Sequence, residues 1–273
     1  MVSSRKIILT LFLLSLFIIY LLIIPTSIAE LPKPQTTIGD YWNYIGNYMG
    51  TTATCQVIVT ERINITIENE IYDVFVSVGT VDGKGPNNAS LHRIETAYFL
   101  VSDGSLVKIN DYFNYSSDEL NQTVTYDYLY FPALDMMQYP IILGEKWENN
   151  YLLKTIDFAS GNISETQTNE SYECEKTTSE FEMNKTFDCY VIKKTEYIQG
   201  QRYDTSYYLS EETGSEPVRL DVEYDGSNIV SLRIVSYNIA NSKEPERNEK
   251  TPGFELILVL IAILLIIYLK QKR

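Results

Sequence analysis

The sequence predicts an all-β protein of antiparallel meander sheets, and three observations carry that expectation. From Pro217 to Gly226, Val218, Leu220, Val222 and Tyr224 alternate with Arg219, Asp221 and Glu223, as in a strand with one buried and one wet face. Asp225-Gly226 then reverses the chain into an apolar stretch over 229–237, forming a hairpin. Tyrosine supplies 22 of 273 residues, which suits long side chains covering a sheet face. Between the chain ends no segment of useful length repeats with the helical period.

Composition narrows the function classes. The chain has 36 acidic and 22 basic residues and one histidine, a net charge of −14. Basic residues cluster at the two ends, leaving residues 31–254 with 17 basic and 34 acidic groups. A field of that sign repels phosphate and disfavours a nucleic-acid partner. Only the two ends carry long apolar runs, which disfavours a multi-span transporter.

Residues 1–29 read as a signal peptide. Arg5 and Lys6 precede a run over 7–24 that is apolar at 16 of 18 positions, and Ser27 and Ala29 match the small-residue pattern cut by signal peptidase, here before Glu30. The run is nearly long enough to span a bilayer, so an uncleaved signal anchor is the alternative. Residues 30–37 then read as a linker.

Two similar β-units are expected, over 38–135 and 139–240, each a curved sheet or half-barrel. Ile63, Ile65 and Ile67 alternate with polar residues, and the chain turns at 68–70 into Tyr72, Val74, Val76 and Val78. The first unit has GDYWNY (39–44), YDVFV (72–76) and ETAYFLVSDGSLVKI (95–109). The second has GEKWEN (144–149), FDCYV (187–191) and DTSYYLSEETGSEPVRL (204–220), in the same order. Trp42 and Trp147, the only tryptophans, fall at matching points.

Seven N-x-S/T sequons occur, at Asn64, Asn88, Asn114, Asn121, Asn162, Asn169 and Asn184. Composition alone predicts roughly three, and the excess points to glycosylation. Of three cysteines, Cys174 and Cys189 flank a polar stretch (182–185) where a hairpin can reverse. A disulfide there would close a loop of about 15 residues and stabilise by roughly 3 kcal/mol; two buried thiols are the alternative. Cys55 is left over, either buried or an intermolecular link.

Nothing in the sequence calls for catalysis, a metal or a cofactor. His92, the single histidine, reads as a surface or hydrogen-bonded residue. One histidine excludes a two-His metal site, and no nucleophile elbow, zincin motif or phosphate loop occurs. Acidic pairs such as Glu211/Glu212 follow from composition, and Asp82–Asn88 reads as a turn.

The C-terminus has three parts: a charged stalk (241–251), then Pro252, Gly253 and Phe254, then an apolar run over 256–269 ending in Lys270, Lys272 and Arg273. At 1.5 Å per residue the run reaches about 21 Å, a marginal span that suits brief retention and processing, with a permanent anchor as the alternative. Positive-inside bias keeps both basic ends in the cytoplasm and places the acidic middle outside. Residues 252–273 resemble the archaeal PGF-CTERM sorting signal. That resemblance implies removal of the transmembrane helix by an archaeosortase-like enzyme, lipid attachment and display on an archaeal envelope. The second unit resembles the curved sheets of bacterial lipoprotein carriers, which hold acyl chains on a concave face. The expectation is therefore a secreted, membrane-tethered cell-surface glycoprotein that binds a lipid or other apolar molecule on a curved sheet. A structural envelope component without a small-molecule ligand is the alternative.

Overall fold

The computed structural model describes residues 30–240 except 87, 119, 199 and 200. The signal segment (1–29), the stalk and the sorting tail with Pro252, Gly253 and Phe254 lie outside the described residues. A two-stranded pair joins β1 (Glu30–Leu31) to β8 (Ile141–Ile142). The other strands form one closed barrel of twelve. Its first half is β2 (Tyr41–Tyr48), β3 (Thr51–Ile67), β4 (Glu70–Lys84), β5 (Ser90–Leu100), β6 (Leu106–Ser116) and β7 (Asn121–Leu134). Its second half is β9 (Lys146–Asp157), β10 (Ile163–Glu182), β11 (Lys185–Ile198), β12 (Gln201–Leu209), β13 (Arg219–Tyr224) and β14 (Ser227–Asn238). Every pairing is antiparallel, each strand beside its neighbour in sequence, and β14 closes on β2.

The two stretches expected as tandem β-units are thus halves of a single barrel. An open six-stranded sheet would leave rows of unpaired N–H and C=O groups at both edges. Pairing β7 with β9 and β14 with β2 removes all four edges at once. Within the barrel the repeated features fall on strands of equal rank. Trp42 and Trp147 lie on the first strand of each half, the aromatic-Asp-x-aromatic-Val segments on the third, and Lys108 and Arg219 on or just beside the corresponding positions of the fifth. Each of these two cations lies over a tyrosine of the preceding strand, Lys108 over Tyr98 at 5.7 Å and Arg219 over Tyr208 at 4.8 Å.

The reversals expected at 68–70, 182–185 and 225–226 are present, and one at Met49-Gly50 joins them. Four hairpins reverse through two residues of positive φ: Met49-Gly50, Glu68-Asn69, Met183-Asn184 and Asp225-Gly226. These are turns whose twist matches that of the flanking strands.

Strands two and three of each half are longer than the barrel wall needs, and their tips fold over its outside. The β3–β4 tip brings Ile63, Ile65, Ile67 and Tyr72 against Val107, Leu129 and Ile156 on β6, β7 and β9, with Lys154 to Glu68 at 2.7 Å. The β10–β11 tip reaches β13 and β14, where Arg233 meets Glu182 at 2.6 Å and Arg219 meets Glu180 at 3.6 Å. This cover corrects the simple two-faced reading of β13. Asp221, expected on the wet face, is buried and bound by Arg219 at 2.6 Å and by the Ser231 hydroxyl.

Residues 30–37 are also more than a linker. Leu31 pairs with Ile141, and both are buried against Trp147, Tyr172, Ile192 and Leu209 on the inner faces of β9–β12. The β1–β8 pair therefore plugs one end of the barrel.

Gly46 sits at the closing seam, opposite Leu232 on β14. A Cβ there would lie 1.8 Å from the Ser231 carbonyl oxygen, so β14 would have to move. Gly46→Ala is expected to cost about 2 kcal/mol and to speed amide exchange on β2 and β14 ahead of β5 and β6. Uniform exchange along the barrel would count against the seam as its weak point.

Candidate functional site in the barrel interior

Register fixes which side chains face inward. Arg93, Glu95 and Ala97 on β5 share a face with Val81, Cys55 and Tyr44 on one side and with Phe113, Asp111 and Ile109 on the other. Following the ladder through β14 brings Tyr48, Leu232 and Leu220 onto that same face, which is the lumen. Outward positions include the polar Asn43, Thr52, Thr54, Gln56, Asn114 and Thr123, interspersed with exposed apolar side chains such as Ile45 and Ile94. No helix among the described residues is long and apolar enough to cross a membrane.

The lumen is lined by tyrosines and ionisable groups in three clusters. In the first, Arg93 donates to Asp111 at 2.8 Å, to Glu95 at 2.7 Å and to the Tyr48 hydroxyl at 2.7 Å. Burial pushes the Glu95 carboxyl up, against the pull of Arg93. In the second, Glu170 accepts from Tyr172 at 2.6 Å, Tyr151 at 2.9 Å and Lys194 at 2.9 Å, and Lys194 also meets Glu196 at 3.1 Å. Burial alone would raise Glu170, but the Lys194 charge and the three donors outweigh it and hold the carboxyl below its ordinary value. Burial dominates at Glu196 and raises it.

The third cluster centres on Glu216, carried inward by the 210–218 connection between β12 and β13. That connection is anchored by a 2.7 Å bond from the Trp42 indole to the Thr213 carbonyl, both residues being fully buried. Burial first, and the neighbouring Glu95 charge second, push the Glu216 carboxyl up to about 7. Its charge is felt by Tyr44, Cys55, Tyr139 and Tyr207, which come from four different elements. The Tyr44 side chain is 4% exposed, and burial first, then the facing Glu216 carboxyl, push its hydroxyl well above the ordinary value. The Cys55 thiol is pushed up to about 12 by burial, with Glu216 and Glu95 adding to the effect, so it is a poor nucleophile.

Glu216, Glu95, Tyr207, Tyr130 and Tyr139 all lie deep, with protein on every side. None of them is fully shielded, however, and each keeps part of its surface open.

The sequence-derived residues are placed as follows. Leu220 and Val222 face the lumen, and Val218 is fully buried at its edge. Cys174 and Cys189 are not brought together. Cys174 lies opposite Ile192 and Cys189 opposite Thr178, an offset of roughly 10 Å along the ladder, where a disulfide needs Cα atoms within about 7 Å. They pack in different clusters, Cys174 with Trp147 and Tyr172, Cys189 with Phe187 and Val218, and all three thiols are free. His92 is on the outer face, 2.8 Å from Asp82, beside a surface depression of about 530 Å³ that also includes Asn114. Of the seven sequon asparagines, six are exposed and Asn114 is half-buried on the outer face. Glu211 and Glu212 lie exposed on a single 3-10 turn, Glu212 pairing with Lys185.

Sequence reasoning missed the lumen charges. In His92-Arg93-Ile94-Glu95 a hydrophobic-in reading turns Ile94 inward, whereas Ile94 is exposed and Arg93 and Glu95 point in. The one available signal was that Arg93, Glu95 and Asp111 share a face once β5 and β6 are paired. Comparison with known proteins finds no matching family model, no similar curated protein and no similar solved structure.

Proposed function

We propose that this chain is a secreted, membrane-tethered cell-surface glycoprotein whose barrel binds a small amphipathic molecule in its lumen. The observation that carries the binding reading is a closed barrel whose inward face sets tyrosines beside the ionisable groups Arg93, Glu95, Glu170, Lys194 and Glu216. A protein that needed the barrel only as a wall would gain stability from an apolar interior in place of buried charges. Tyrosine faces together with Leu220, Val222 and Leu232 offer apolar contact, while Glu216, Glu95 and the Tyr44 hydroxyl offer polar contact. The ligand is thus amphipathic rather than wholly apolar. The outward placement of the sequons supports glycosylation, because a glycan at any of them meets solvent. Tethering rests on the terminal apolar runs and on Pro252, Gly253 and Phe254.

Native mass spectrometry of the protein purified from its own membrane tests these points together. The expected result is a bound small molecule, hexose-bearing sequons and a chain lacking the terminal helix. Val222→Trp, which places an indole in the lumen beside Thr205 and Val230, is expected to expel the ligand with the barrel still folded. An empty wild-type barrel that accepts this tryptophan without consequence would overturn the binding reading in favour of a structural envelope role. An unprocessed helix would overturn the sorting assignment.

A further inference from the structure

We infer that Asn114 carries an N-linked oligosaccharide whose first sugars lie in the outer depression of about 530 Å³ beside His92, so that the barrel wall holds its own glycan there. The inference rests on the glycosylation reading above and gives one sequon a seat. Strand register builds that seat. Thr54, Asp82, His92, Asn114 and Thr123 stand opposite one another in an outward-facing row across β3, β4, β5, β6 and β7. The adjacent row adds the Thr52 and Ser90 hydroxyls and Lys84. The depression is lined from β3 to β6 along these rows, with Asn114 as its residue from β6. Ala53 and Leu91 border it too, but their side chains are buried on the lumen side.

The chemistry of the rows selects a carbohydrate. His92 turns Nδ1 to Asp82 at 2.8 Å, and Tyr112 meets its ring edge-on at 6.2 Å, which leaves Nε2 open to a ligand. Hydroxyls and imidazole both donate and accept, Asp82 accepts and Lys84 donates, and sugar hydroxyls need partners of both kinds. An acyl chain would find no apolar side chain in these rows. An anion would meet one lysine beside a carboxylate. Among the described residues no group of three metal-ligating side chains occurs.

Asn114 is also placed differently from the other sequon asparagines. It is half-buried within β6, between β5 and β7, whereas the other six are exposed. The Thr123 hydroxyl donates to its Oδ1 at 3.3 Å. That bond holds the amide oxygen on the β7 side and turns Nδ2, the atom that bears the sugar, towards β5 and the depression. Asn88 and Asn169 instead use Nδ2 to donate to Asp118 at 3.0 Å and to Asn150 at 2.9 Å. Attachment removes one proton from Asn114 Nδ2 and joins it to C1 of a sugar, whose bond to its phosphate carrier breaks. From Asn114 to Thr54 the row crosses three strand spacings, about 14 Å, so a short oligosaccharide rather than a single sugar fills it.

The test uses protein purified from its native membrane. Trypsin leaves Asn114 and Asn121 on one peptide, 109–146, and fragmentation that keeps glycans attached assigns each sugar to its asparagine. Asn114 is expected to carry an oligosaccharide. Mild periodate, which cleaves the vicinal diols of accessible sugars, is then applied to folded and to urea-unfolded protein. Folding is expected to slow oxidation at Asn114 about threefold or more, because a seated ligand loses most of its exposed surface, and to change exposed sites such as Asn64 by less than about twofold. Thr54→Trp, made in the same cells, fills the far end of the depression from an exposed position and is expected to remove that protection with the thermal transition unchanged. If Asn114 is bare while another sequon carries sugar, the inference falls and the glycoprotein reading stands. If the Asn114 sugar is oxidised equally fast folded and unfolded, or stays protected in Thr54→Trp, the seat falls as well. Sugar at no sequon overturns both readings.

Discussion

Lys194→Met is expected to destabilise the barrel by about 3–5 kcal/mol, which corresponds to a fall in Tm of roughly 10 °C or more. Lys194 is 13% exposed and Glu170 only 3%, and among the described residues the ammonium supplies the only positive charge that meets the Glu170 carboxylate. Removing it strands an ionised group that keeps its tyrosine donors but loses its counter-ion. Urea denaturation at pH 7 measures the loss. The double variant Glu170→Gln, Lys194→Met should recover most of it, since a pair removed whole leaves no uncompensated charge. The acid side gives a second check. Glu170 titrates lower in the folded chain than unfolded, so its contribution is complete above its ordinary value near 4.5 and is lost as the pH falls through the folded value. A single-variant loss below 1 kcal/mol would show that the cluster is better hydrated than its burial implies.

Glu216→Gln is expected to act in the opposite direction. The Glu216 carboxyl is raised from 4.5 to about 7, so between those values the folded chain binds more protons than the unfolded chain. Stability contributed by this group is therefore present below about 4.5 and declines as the pH rises towards 7. Above 7 the wild type carries the full penalty of an ionised, enclosed carboxylate, about 3 kcal/mol. The glutamine variant avoids it. Denaturation curves should show the variant more stable at pH 8 by up to that amount and nearly equal to wild type at pH 4.5. An equal effect at both pH values would assign the change to packing rather than to charge.

Much of the wall was legible because it depends on neighbours close in sequence. Alternation on β13, the Asp225-Gly226 turn and the Glu68-Asn69 turn each involve only a few consecutive residues, and those residues state their preference directly. The ordered repeat of tryptophan, aromatic-Asp-x-aromatic-Val and Lys or Arg strands was equally visible, and it marks strands of equal rank in the two halves. What it could not convey is that the halves share one barrel. Closure requires β14 to find β2 across the length of the chain, a pairing between Tyr41–Tyr48 and residues near Asn238 that no local pattern encodes.

The candidate site was hidden for a related reason. A strand's alternation shows which residues share a face but not whether that face meets bulk water or a polar lumen. Arg93, Glu95 and Lys194 look like surface charges until closure turns them inward, and Asp221 looks exposed until the β10–β11 tip covers it. The Cys174–Cys189 pairing failed on register, which a bulge between Cys174 and Lys176 and the length of the hairpin set together. By itself the sequence determined an all-β antiparallel meander, its turns, an acidic middle and two apolar ends. Only the tertiary structure decided that the meander closes into one barrel, that the inward face is polar, and that Glu216 is buried there with its carboxyl raised. The physical reason is that strand patterns are local, whereas inside and outside exist only once the last strand has met the first.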